Sequence, residues 1–196
     1  MKWSTQSKPE ASDIKNKPKK NRVGLTIFEM ALFAMFGALM FGSKMLMEFL
    51  PNIHLLGMFT VLFTVVYRTK ALIPIYIYVF LNGLIAGFNA WWVPYLYIWT
   101  VLWGVVMLLP RNMPRKWAVV VYPVICSLHG FLFGTLYAPA QALMFGLDFR
   151  QMIAWIISGI PFDVIHGISN FVVGLLIYPL AQLLRKLSAS VYLKIG

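Results

Sequence analysis

From position 25 onward the chain alternates long apolar runs with short breaks that hold most of its polar residues. The runs cover about residues 25–43, 55–67, 71–88, 93–109, 117–138 and 153–184. A helix needs about 20 apolar residues to cross a bilayer core, so the pattern predicts six transmembrane helices. The second run is short for that task and calls for tilt, local thinning or support from the segment before it. Residues 1–23 are lysine-rich without periodicity and are expected to form a flexible basic cytoplasmic tail. Residues 24–186 then make the membrane domain and 187–196 a short cytoplasmic C-terminal tail. A basic stretch precedes the first run and no convincing small-residue cleavage site follows it, so the first run is expected to be retained.

Composition narrows the class. The 196 residues are 60% hydrophobic and 12% charged, with a mean hydropathy of +0.76. A compact soluble domain of this length cannot bury that much apolar surface. The expected fold is therefore an all-α integral membrane bundle of six transmembrane helices.

Charge sets the expected orientation. The formal net charge of +11 suggests nucleic acid until the cations are located. They crowd the N-terminal stretch and flank the apolar runs, at Arg68 and Lys70, at Arg111, Arg115 and Lys116, and at Arg185, Lys186 and Lys194. With six crossings and the N-terminus inside, all of the Lys and Arg except Lys44 and Arg150 fall on the inner side. That is the positive-inside bias, with both termini cytoplasmic and anionic lipids as neighbours rather than nucleic acid. The single cysteine, Cys126, excludes an intrachain disulfide and reads as a small core residue.

Polar residues inside the runs are the candidates for chemistry. "ISGIPFDVIHGISNFVVG" carries Asp163, His166 and Asn170 at spacings of three and four, hence on one helix face. An Asp at bilayer depth costs about 2.5–3.5 kcal/mol on insertion scales, so it should be paired or face a cavity. The face is either a polar wall of an outward-opening ligand pocket or an Asp–His pair that locks the bundle. Gly159, Gly167 and Gly174 lie near it and permit close packing. "AWWVPYLYIWTVLW" places Trp92, Tyr95, Trp99 and Trp103 at helical spacing. An interfacial belt explains the outer ones, whereas the deeper ones suit a stacking wall for a flat ligand. His129, Tyr137 and Gln141 belong to the fifth run and the loop above it; Asn52 and His54 lie in the first outer loop. No local metal-ligand motif joins His54, His129, His166 and Asp163, so no metal is expected. Ser127, Ser158 and Ser169 lie in no nucleophile motif, so no enzymatic activity and no cofactor are expected.

The first run adds "ALFAMFGALMFG", in which Ala34, Ala38 and Gly42 recur every four residues beside Gly37. Such a stripe lets another helix approach closely.

This stripe, the turn "LPNIHLLGMFTVLF" and the blocks "YVFLNGLIAGFNAWWVPYLYIW" and "GIPFDVIHGISNF" resemble the substrate-binding S components of energy-coupling factor (ECF) vitamin importers over about residues 25–185. The resemblance implies a multi-pass protein of the bacterial cytoplasmic membrane that captures a vitamin or related micronutrient from outside. It implies delivery through a transmembrane coupling subunit driven by two cytoplasmic ATPases, since this chain has no glycine-rich phosphate loop of its own. Carried over, Ala34, Gly37, Ala38 and Gly42 would meet the coupling subunit. Asn52, His54, Trp92, Tyr95, Trp99, His129, Tyr137, Asp163, His166 and Asn170 would line the substrate site. The Trp91–Trp99 block looks most like cobalamin-associated members, with pantothenate or a pyrimidine or pyridine vitamin precursor as alternatives. A stand-alone small-solute transporter is the competing class.

Overall fold

The computed structural model describes residues 25–195; the basic stretch 1–23 lies outside the described residues. Those described form helices and turns without a strand. The helices are α1 (Ile27–Leu46), α2 (Leu56–Tyr67), α3 (Leu72–Ala86), α4 (Tyr95–Met107), α5 (Arg115–Phe131), α6 (Phe133–Phe145), α7 (Phe149–Gly174) and α8 (Ile177–Ile195). A single 3-10 turn, Arg68–Ala71, joins α2 to α3. Four stretches are long and apolar enough to cross a membrane: Ile27–Leu46, Leu56–Ala86, Arg115–Phe145 and Phe149–Gly174. Tyr95–Met107 is a shorter apolar helix.

Local chemistry explains the boundaries. Thr26 starts α1 with a capping box: its hydroxyl accepts from the Glu29 N–H at 3.1 Å, and the Glu29 carboxylate accepts from the Thr26 N–H at 3.0 Å. Asp148 and Gln151 repeat the device at α7, at 2.8 and 2.9 Å. Each box satisfies two donors that a helix start otherwise leaves open.

Two expected spans are interrupted. The fifth divides at Leu132 into α5 and α6, and α6 runs on to Phe145, so much of the expected loop after Ala138 is helix. The sixth divides at Leu175–Leu176, where the backbone tightens into bonds from Leu175 N–H to Val172 O and from Leu176 N–H to Val173 O. Pro179, in the first turn of α8, has no N–H to offer the Leu175 carbonyl. In that first turn a proline costs the helix no bond of its own, because the N–H there has no partner within the helix. Residues 187–195, expected as a tail, continue α8.

The short α2 is the centre. Every residue from Leu56 to Val65 is buried, as a helix apolar on all sides requires. It packs against α4, α5, α7, α8 and α1. The outer helices keep large apolar side chains exposed, among them Met35, Phe80, Val120, Leu128, Ile157 and Phe171. That surface suits lipid rather than water.

Charged and hydroxyl groups tie one end together. Lys70 Nζ meets Glu29 Oε1 at 2.5 Å. Arg68 donates to the carbonyls of Met107 at 2.6 Å and Leu109 at 3.4 Å. Arg185 donates to Val65 O at 3.2 Å and Arg111 O at 3.3 Å, and Tyr67 meets Ser188 at 3.2 Å. The start of α1, the α2–α3 junction, the end of α4 and α8 therefore share one end of the bundle. Lys44, paired with Glu48 at 3.3 Å, is on the loop side of α1, away from that end.

Candidate functional site

The site lies toward the opposite end and is built around Trp99 of α4, which is 1% exposed. Its ring lies 6.2 Å from His54, 6.2 Å from Tyr78, 6.2 Å from Tyr95, 5.6 Å from His129 and 6.0 Å from Phe133. His54 and His166 rings are 4.6 Å apart, and Phe133 stands 4.9 Å from His166. All three histidines of the chain thus reach one aromatic cluster, from the α1–α2 loop, α5 and α7.

Their hydrogen bonding is incomplete. His129 Nε2 lies 3.2 Å from the Ile98 carbonyl. That contact requires the proton on Nε2 and leaves Nδ1 a bare acceptor. Buried atoms without a protein partner include His54 Nδ1, Tyr78 Oη, Trp99 Nε1, His129 Nδ1 and His166 Nε2, together with both amide atoms of Asn82. Buried polar groups are normally satisfied, and each exception carries a desolvation penalty of about 1–3 kcal/mol. Five of these atoms belong to side chains of the one ring cluster around Trp99. Burial, with the charges of His129 and Lys44 adding to it, pushes the His54 pKa down to about 4.

The expected polar face of α7 is present, and its members do different work. The Asp163 carboxylate accepts from the Gly134 N–H, at 3.0 and 3.1 Å to its two oxygens, rather than from His166. An Asp–His lock is therefore not what holds the bundle. His166 turns to His54 and Phe133. Asn170 donates to the Cys126 carbonyl at 3.3 Å and packs over Gly57, where an added Cβ would lie 3.1 Å from both Asn170 Nδ2 and Cys126 Sγ. It belongs to the crossing of α2, α5 and α7. Gly167 sits under Phe131, and Gly174 lies against Pro123, so both serve the close packing expected of them. Gly159 meets nothing.

Beside the cluster a cleft of about 320 Å³ opens between α6 and α7. Phe133, Tyr137, Gln141, Trp155, Phe162 and Asp163 line it. Tyr137 and Trp155 stack with centroids 5.7 Å apart and planes at 16°. The Tyr137 hydroxyl donates to Trp91 O at 2.8 Å, which fixes the ring.

Other expected residues stand elsewhere. Trp92 donates to Val79 O at 2.8 Å and abuts Phe88 at 4.9 Å, holding the α3–α4 loop down instead of joining the cluster. Trp103 donates to Arg68 O at 3.1 Å, at the far end. Asn52, with φ 61°, accepts from Ser169 at 3.3 Å through its carbonyl and so seats the loop that carries His54. Ala34 and Ala38 are exposed, and Gly42 has open space beside it. Gly37 departs from the expected partner face: it is buried against Ile77 and Pro74 of α3, where no Cβ fits.

Sequence reasoning missed Tyr78, Asn82, Phe133, Gly134 and Trp155. Asn82 carried a signal, a lone amide in an apolar run, four residues from Tyr78. Phe133, Gly134 and Trp155 carried none, because aromatics and glycines abound in these runs. Among the described residues no group of His, Cys, Asp and Glu is arranged to hold a metal ion. Compared with protein-family models, curated proteins and solved structures, the chain finds no match in any of the three.

Proposed function

We propose that the chain is a substrate-capture subunit of the ECF type, an S component that binds a vitamin-like micronutrient and has no catalysis of its own. One observation carries the reading. In an all-helical apolar chain, three histidines, Trp99, Tyr78 and Asn82 bury seven polar atoms without a protein partner, and the rings among them interlock. A purely structural core gains nothing from such groups, since apolar residues of equal size would be more stable. A capture site needs them, because fixed, partly unsatisfied donors and acceptors give specificity within an apolar cavity.

The proposed topology follows the same chain of reasoning. Counting α1, α2, α3, α4, α5–α6 and α7–α8 as crossings gives six, with Arg68, Lys70, Arg111 and Arg185 at one end. We assign that end to the cytoplasm by the bias of Lys and Arg. The cluster and cleft then open toward the outside of a bacterial cytoplasmic membrane. The exposed Ala34 and Ala38 on α1 form the proposed seat for a transmembrane coupling subunit, with ATP hydrolysis on two cytoplasmic ATPases. Cobalamin is far larger than the cleft of about 320 Å³, so the smaller heterocyclic substrates take precedence in this reading.

Native mass spectrometry of the purified chain incubated with a vitamin mixture tests the capture step. A retained vitamin with raised thermal stability is expected, as binding to the folded state stabilises by mass action. Expression beside a coupling subunit and its ATPases tests the partnership, and co-purification of all four chains is expected. A chain that binds nothing and elutes alone contradicts the reading.

A further inference from the structure

Asp163 is a membrane-depth carboxylate without a protein counter-charge. Among the described residues the ion pairs are Lys44–Glu48 and Lys70–Glu29, and Asp163 belongs to neither. Its partner is a single backbone N–H, that of Gly134. A carboxylate has lone pairs for about four donors, so most of its capacity stays unused. It is only 9% exposed, and it lines the cleft between α6 and α7.

The other walls have one chemistry in common. Phe133, Tyr137, Trp155 and Phe162 present aromatic carbon to the cleft, and Gln141 adds a neutral amide. No lysine, arginine or histidine lines it. Aromatic faces carry negative potential and attract cations, more strongly when desolvated. A carboxylate at the floor of such a box adds a full charge where the dielectric is low. An anion meets nothing favourable here, and a neutral ring would leave Asp163 uncompensated.

We infer that this cleft takes an organic monocation, its charged nitrogen against Asp163 and beside the aromatic walls formed by Tyr137, Trp155 and Phe133. The inference rests on the capture reading above and names the charge class of its substrate. The volume suits a single substituted ring or a quaternary ammonium headgroup. Gly134 is part of the device: a Cβ there would run into Asp163 Oδ2, so only glycine lets the N–H reach the carboxylate and hold it toward the cleft.

The test uses one ring in three charge states. The full-length protein in detergent is titrated with 1-methylnicotinamide (cation), nicotinamide (neutral) and nicotinate (anion), with benzyltrimethylammonium as a second cation, read by calorimetry and thermal shift. Two variants accompany it. Asp163→Asn keeps an oxygen for the Gly134 N–H while removing the charge. Gly159→Leu fills the cleft from a position where an added Cβ meets nothing. Expected are binding of the cations at least tenfold tighter than nicotinamide, no binding of nicotinate, a tenfold or greater loss in Asp163→Asn and abolition in Gly159→Leu, with ligand-free melting temperatures near wild type. Equal binding of nicotinamide, or cation binding undiminished in Asp163→Asn, overturns the inference. So does a lack of cation binding in the wild type. In that case a vitamin retained in the native mass spectrum leaves the capture reading standing, whereas a blank there removes both.

Discussion

The Gly134 N–H points at the Asp163 carboxylate almost symmetrically, 3.0 Å from one oxygen and 3.1 Å from the other. This contact bridges α6 and α7 at the floor of the cleft. It depends on the missing side chain at residue 134. Gly134→Ala is expected to push the carboxylate away and lower stability by about 1–3 kcal/mol, the range for a lost buried bond to a charged acceptor. Denaturation in detergent checks this. A Gly134→Ala protein as stable as wild type contradicts the clamp.

Asn82 makes a prediction of opposite sign for stability and binding. Both of its amide atoms are buried without a partner. Asn82→Leu replaces them by apolar atoms of similar volume and is expected to raise the melting temperature, by removing a penalty of about 1–3 kcal/mol. The same change is expected to weaken ligand binding, as stabilising a functional site commonly does. Melting curves and a binding titration on one preparation decide it. A fall in stability shows instead that the amide serves the fold.

His54 lends the protein an acid-sensitive term. Burial, more than the neighbouring charges of His129 and Lys44, holds its pKa at about 4, against an ordinary 6.5. The folded protein therefore keeps His54 neutral where the unfolded chain takes up a proton, so this contribution to stability is full above pH 6.5 and falls as pH drops toward 4. The melting temperature of wild type is expected to decline over that window more steeply than that of His54→Phe. Parallel pH profiles for the two proteins rule this out.

The α1 stripe separates into two roles that substitution can tell apart. Gly37 is buried on Ile77 and Pro74, whereas Ala34 and Ala38 are exposed. Gly37→Leu is expected to destabilise the isolated protein, because the α1–α3 contact has no room for it. Ala34→Trp with Ala38→Trp is expected to leave stability and ligand binding intact and abolish cellular uptake. Uptake at the wild-type rate in the double variant excludes this face as the seat of the coupling subunit.

Much of the fold was legible because apolar runs and their breaks are a strong signal. α2, α3 and α4 begin and end within two residues of the expected runs. The interruptions at Leu132 and Leu175 were not legible. They leave hydropathy unchanged and arise from backbone geometry, and proline does not mark them, since Pro123, Pro139 and Pro161 lie inside unbroken helices. The polar face of α7 was legible from spacing alone. What each member touches was not, since a helix's rotation against its neighbours is set by packing. The same limit explains Trp92 and Trp103, which share a helical spacing with Trp99 yet bond to Val79 and Arg68 instead. Gly37 was read as surface because a small residue permits close approach without saying whether the approaching helix is α3 or another chain.

Reconstitution into sealed vesicles tests the central claim most directly. With the purified chain alone, radiolabelled ligand is expected to bind without accumulating, with or without ATP. With the coupling subunit and both ATPases added, and ATP supplied, accumulation is expected. Accumulation by the chain alone, without nucleotide, contradicts a capture subunit and makes the protein a transporter in its own right.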